Sequence, residues 1–244
     1  MGRISRRAVL AGAGLLAGGT GSGAEGQGPR KRKVVVTGGH PGDPEYGCGG
    51  TIARYADLGH EVVLLYLNRG ERPDEPPETA GAARTAEATR ACEILKARPR
   101  FAGQVDGKAI VDPEHYRAFR AILEDERPDV LFTHWPIDNH ADHRAISTLT
   151  YDAWLRMGKK AAFFYYEVSD GEDTVQFAPD YYVDISSVEP RKRAACHAHA
   201  SQAPGRFYAL QEQVMRLRGI ESGHKYAEAF IRHVQGPGSG PPLP

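Results

Sequence analysis

His40-Pro41-Gly42-Asp43-Pro44-Glu45-Tyr46-Gly47-Cys48-Gly49-Gly50-Thr51 decides how the chain folds. It follows the β-branched run Lys33-Val34-Val35-Val36-Thr37 and precedes a helical pattern. A buried strand therefore ends in a loop holding one imidazole and two carboxylates, and a glycine-rich turn then opens a helix. Ligands of open α/β sheets bind in the crevice beyond the carboxyl ends of the strands. A histidine and an aspartate three residues apart at such an end are candidate ligands of a divalent cation. The rest of the chain has to supply a third.

Outward from this stretch, the hydrophobic pattern predicts strands at about 33–39, 60–67, 101–105, 129–135, 161–168 and 181–185. Helices are expected at about 49–58, 79–97, 112–126, 141–156, 189–201, 208–218 and 225–233. Gly59 stands where a helix-ending glycine belongs, and Asp112-Pro113-Glu114 is a well-formed helix start. Strand and helix alternate four times. That alternation is the mark of right-handed βαβ units and a mainly parallel, three-layer sheet, a Rossmann-like α/β fold. Gly47, Gly49 and Gly50 do not spell the dinucleotide fingerprint, and no acidic residue closes the second strand, which disfavours a nucleotide site.

The composition is that of an ordinary globular chain, 41% hydrophobic and 25% charged over 244 residues, enough for one α/β domain. Lys+Arg and Asp+Glu are both 31, so no net field argues for nucleic acid or an anionic membrane. Cys48, Cys92 and Cys196 are too few and too scattered for a disulfide framework and read as buried thiols. Residues 1–28 read as a targeting segment: Arg3, Arg6 and Arg7 precede the short apolar run Ala8 to Ala17, and Ser5-Arg6-Arg7-Ala8-Val9-Leu10 is similar to a twin-arginine export signal. The run is too short for a lasting membrane anchor, and an exported location follows as the expectation. A single domain is expected over 29–234, with a disordered Gly/Pro-rich tail at 235–244. The Pro-rich loop through Pro77 is a candidate lid.

A second cluster, Asp138-Asn139-His140-Ala141-Asp142-His143, falls at the carboxyl end of the fourth strand and leads into a helix. The element order puts it at the same edge of the sheet as His40 and Asp43. Imidazole nitrogen with carboxylate oxygen suits Zn²⁺, and three protein ligands with one open position is the catalytic arrangement. Of His140 and His143, one can bind metal while the other donates a proton, with Asp142 to orient it. Cys196, His197 and His199 lie in a helical pattern whose spacing makes a poor chelate.

The two motifs and the strand order resemble the PIG-L/LmbE-like family of zinc-dependent N-deacetylases, whose first motif reads roughly H-P-D-D-x-E-x-G-x-G-G-T. Tyr182-Val183-Asp184-Ile185-Ser186, His199-Ala200-Ser201-Gln202 and Tyr226-Ala227-Glu228-Ala229-Phe230 are similar too, so the resemblance spans about Lys33 to Phe230. It implies a hydrolase that removes acetyl groups from small N-acetylated amino sugars or their conjugates through a metal-bound hydroxide. It also implies His40, Asp43 and His143 as ligands of Zn²⁺, a site whose ligands Fe²⁺ would tolerate. By the same resemblance, protonated His140 stabilises the oxyanion and helps the amine leave, and Asp142 tunes it. Arg69 is a candidate for a substrate hydroxyl or phosphate. One position departs from the family: the general-base aspartate is here Gly42. Either the metal alone ionises enough water, or Glu45 or Asp138 reaches it, or the chain is a non-hydrolytic, metal-containing carbohydrate-binding protein.

Overall fold

The computed structural model describes residues 30–71, 76, 79, 81–237 and 244. The expected export signal, most of the Pro-rich loop and residues 238–243 of the tail lie outside the described residues. Lys31–Pro244 forms one compact unit.

Seven strands form one sheet: β1 (Lys33–Gly38), β2 (Glu61–Tyr66), β3 (Arg98–Phe101), β4 (Val130–His134), β5 (Ala162–Tyr166), β6 (Tyr181–Asp184) and β7 (Ala227–Arg232). Their order is β3-β2-β1-β4-β5-β7-β6. β1 to β5 are parallel, and β7 runs antiparallel to both β5 and β6. The helices are α1 (Asp43–Asp57), α2 (Ala82–Leu95), α3 (Pro113–Glu126), α4 (Ala141–Arg156), α5 (Glu189–His197) and α6 (Pro204–Ser222). Alternate strand residues face opposite sides. Val34, Val36, Leu64 and Phe132 pack with Ile52 of α1, Ala88 of α2 and Ala195 of α5. Val35, Leu65, Leu131 and Phe163 pack with Leu123 of α3 and Ile146 and Trp154 of α4. The result is the three-layer, mostly parallel α/β fold that the sequence predicts.

Strand order runs outward from β1 on one side and from β4 on the other, so the topological switch point lies between these two neighbours. The His40 and His140 loops leave their carboxyl ends, and the switch point is where such sheets bind ligands. The two clusters are therefore on adjacent strands, a closer relation than a shared edge.

Three elements differ from expectation. Within 225–233, Ala227–Arg232 form β7 instead of a helix; helix-favouring Ala227, Glu228 and Ala229 are overruled by pairing on both sides, with β5 and β6. The third strand is Arg98–Phe101, earlier than 101–105. The first helix begins at Asp43 instead of near Gly49, with Pro44 in the first turn, where its missing N–H costs nothing. Its glycines serve close packing. A Cβ on Gly47 would stand 2.3 Å from Tyr166, and one on Gly50 would stand 2.4 Å from Ile185.

Candidate metal centre

The loop after β1 turns sharply enough for Asp43 to fold back on His40. Asp43 Oδ2 takes the His40 backbone N–H at 2.7 Å and lies 3.3 Å from His40 Nδ1. From the loop after β4, His143 at the start of α4 brings Nε2 to 3.3 Å from the same oxygen. Two ligands of a tetrahedral zinc ion, each about 2.1 Å from it, stand about 3.4 Å apart. His40 Nδ1 and His143 Nε2 thus each stand at about that spacing from Asp43 Oδ2, and imidazoles with a carboxylate suit zinc. Among the described residues, the groups whose donors all lie within 4.8 Å of one another are His40 with His140 and His143, Asp43 with His134 and His143, and His40 with Asp106 and Asp142.

The far nitrogen of each ring is fixed as well. His143 Nδ1 lies 3.1 Å from Asp138 Oδ1, and His40 Nε2 lies 3.2 Å from Asp142 Oδ2. Such carboxylate–imidazole pairs hold the proton on the outer nitrogen and leave the inner one free for a cation. Asp138 is buried behind His143; its other bonds go to His140 N and Thr174 Oγ1. The expectation that it activates water is corrected: it is spent on orienting the His143 ring. Asp142 also departs from expectation, since its carboxylate serves His40, Asn68 Nδ2 and Gly107 N, while only its backbone N–H meets His140 Nδ1, at 3.3 Å.

Glu45 is corrected too. It is fully buried and accepts from Tyr66 Oη (2.7 Å) and Gly42 N (3.2 Å), and one of its oxygens lies 3.0 Å from His199 Nε2. It braces the loop and is absent from the cavity wall. Arg69 is exposed and bonded to Glu71, away from the cavity. The arginine that does line the cavity is Arg84, from α2, whose Nη2 donates to Pro41 O at 2.8 Å.

His134, Asp106 and Asp173 were missed in the sequence. His134 ends β4, fully buried, with Nε2 3.2 Å from Asp43 Oδ2, and its ring stacks on that of His143 at 4.0 Å. Its only sequence signal is its place as the last residue of an apolar run. Asp106, in the loop after β3, lies 3.2 Å from His40 Nε2 and 3.7 Å from Arg84. Asp173 comes from the loop after β5. Asp106 and Asp173, with Tyr46, His140, Gln202 and Phe207, line a cavity of about 260 Å³, and His134 lies behind it.

Charge is strongly redistributed in the metal-free chain. Burial opposes charge on His40, but Asp43, Asp106 and Asp142 hold its pKa well above the usual imidazole value. His143, also buried, is raised to about 9 by Asp43 and Asp138. Burial and the neighbouring His143 push His134 down to about 4. His140 is lowered by burial and by His40 and His143, and its Nδ1 accepts the Asp142 backbone N–H. Asp43 is held well below the carboxylate range despite burial, by His143, His40 and His134. His197 is exposed and bonded to Arg193 O, and His199, in the cavity wall, meets Glu45 behind it, so the two do not form a second chelate. All three cysteines are buried and free.

Residues 35–154 match the family described as PIG-L, GlcNAc-PI de-N-acetylase. The diacetylchitobiose deacetylase of Thermococcus kodakarensis is 30% identical over 84% of this chain and 84% of its own length. The conserved protein TT1542 of Thermus thermophilus superposes with a TM-score of 0.71 at 30% identity, over 82% of this chain and 94% of that one. GalB of Pseudomonas putida, a 4-carboxy-2-hydroxymuconate hydratase, shares the fold at a TM-score of 0.72 and 24% identity, over 82% and 95% of the two chains.

Proposed function

The chain belongs to the PIG-L (GlcNAc-PI de-N-acetylase) family, and from that premise we propose that it is a zinc-dependent hydrolase removing the acetyl group from a small N-acetylated amino sugar or its conjugate. The observation that carries this reading is the paired bracing of the two ligand imidazoles. Asp142 stands on His40 and Asp138 on His143, while both inner nitrogens lie 3.3 Å from Asp43 Oδ2.

His40, Asp43 and His143 would hold the ion, which when bound polarises the acetyl carbonyl and lowers the pKa of water. His140 sits in the cavity wall as the N-cap of α4, its Nδ1 taking the Asp142 N–H. In the neutral ring that bond keeps the proton on Nε2, which can donate to the developing oxyanion at no cost in charge. Asp106 and Arg84 supply an acceptor and a donor for sugar hydroxyls, and Phe207 and Tyr46 offer ring faces. The cavity of about 260 Å³ is at the small end of ligand sites and suits one amide-bearing sugar unit rather than a polymer face.

The experiment is release of acetate by the zinc-loaded protein from a panel of N-acetylated amino sugars and their conjugates. Turnover that disappears in His40→Ala and Asp43→Ala supports the reading. Sugar binding without acetate from any member favours the non-hydrolytic carbohydrate-binding alternative, which Gly42 motivates. Export is part of the proposal: the twin-arginine pattern at Arg6-Arg7 supports it, and no helix among the described residues is long and apolar enough to cross a membrane. Recovery of the full chain from the exported fraction only when Arg6 and Arg7 are intact is the expected result.

A further inference from the structure

The loss of a carboxylate at Gly42 leaves the hydrolytic reading without a proton acceptor, and the cavity wall narrows what can replace it. Among the described residues, three carboxylates line the cavity: Asp43, Asp106 and Asp173. Asp43 is occupied by His40, His134 and His143. Asp106 is held by Arg84 and by Nε2 of His40, on the side of that ring turned away from Asp43, where it can meet a sugar hydroxyl but not the attacking water. Glu45 and Asp138, the two acids nearest in sequence to the motifs, are buried and fully used elsewhere. The Asp173 carboxylate has no hydrogen bond or ion pair among the described residues.

Its backbone, by contrast, is tightly held. Asp173 N donates to Ser169 O at 3.0 Å, and Asp173 O accepts from Asn139 N at 2.8 Å. The next residue, Thr174, bridges to Asp138 and gives its Oγ1 to Asp138 Oδ2 at 3.1 Å. The loop that carries Asp173 is thereby pinned to the segment that carries His140 and His143. Preorganisation of this kind is what a proton-transfer group needs. Burial also raises the carboxyl above its usual pKa, against a smaller pull from His143, and a stronger base results.

We propose that Asp173 is the proton acceptor of the amide hydrolysis, in place of the carboxylate missing at Gly42. The assignment rests on the deacetylase reading above. As the water oxygen bonds to the acetyl carbon, one water proton moves to the Asp173 carboxylate and the carbonyl π pair moves onto oxygen. As the carbon–nitrogen bond breaks, the nitrogen takes a proton from the Asp173 carboxyl. The products are the free amine and acetic acid, and the carboxylate is restored.

The test is Asp173→Asn in the full-length zinc-loaded protein, with kcat and KM for acetate release and zinc affinity by chelator competition. The expected result is kcat lower by roughly 10²–10⁴-fold, with KM and zinc affinity within about threefold of wild type. Partial rescue of Asp173→Ala by added formate is also expected. An unchanged kcat overturns the assignment. So does a raised KM with kcat kept, which would make Asp173 a sugar-binding group, and so does zinc affinity weakened tenfold or more, which would make it a ligand. A wild type that holds zinc yet releases no acetate from the panel overturns the deacetylase reading itself. A wild type that turns over while Asp173→Asn keeps its rate overturns only the role of Asp173.

Discussion

His40 and Asp142 are 102 positions apart in sequence and meet at 3.2 Å, Nε2 to Oδ2, with Asp142 out of solvent. The contact joins the two motifs through the outer nitrogen of a proposed ligand. Asp142→Ala should therefore weaken zinc by roughly 10–100-fold, which chelator competition reads directly. If Asp142 acted only through His140, the variant would lose turnover and keep its zinc.

Zinc uptake should release protons. His40 is held well above, and His143 at about 9 against, the usual imidazole value, so both rings are protonated in the metal-free chain at pH 7. A cation must displace those protons. Apparent affinity is therefore expected to rise as pH increases toward 9 and to fall as pH drops. Calorimetric titration at pH 7 in two buffers of different ionisation enthalpy should give about two protons per ion. A value near zero would contradict the charge pattern.

Gly42→Asp should not restore a family-type base. Gly42 has φ +114°, and although the nearest atom to an added Cβ is 3.7 Å away, side chains rarely adopt that backbone. The expected cost is about 1–3 kcal/mol, measured by denaturant unfolding, with no gain in kcat. A variant as stable as wild type and faster would show that the loop relaxes freely.

Lys192 and Glu228 form a buried pair at 2.6 Å, and Glu228 also accepts from Gly50 N, Thr51 N and Thr51 Oγ1. Removing one charge strands the other in the core. Lys192→Met is expected to cost about 3–5 kcal/mol in urea unfolding, and a loss below about 1 kcal/mol would mean that the backbone donors alone satisfy Glu228.

Local spacing made the cluster of candidate ligands legible. His40-x-x-Asp43 and His140-x-x-His143 can be read because each lies within one turn of chain at the end of an apolar run. The partners that orient them were harder to assign, because sequence proximity pointed Asp142 at His140 while the fold gives it to His40. Asp106 and Asp173 sit in loops with no pattern of their own and enter the site only through tertiary packing. The early start of α1 was hidden by Pro44, Gly47, Gly49 and Gly50, poor helix formers in isolation. Their small size is what allows the helix to press against Tyr166, Lys192 and Ile185.

That pressing contact sets a condition on assembly. Asp43 and Glu45 ride on the first turn of α1, while the surfaces that seat this helix come from Tyr166, Ile185, Lys192 and Glu228. The matched family segment, 35–154, contains His40, Asp43 and His143 but none of those four residues. A nascent chain thus makes all three proposed ligands long before it makes their support. Tight zinc capture should be a late event of folding and a sign that the C-terminal strands have docked.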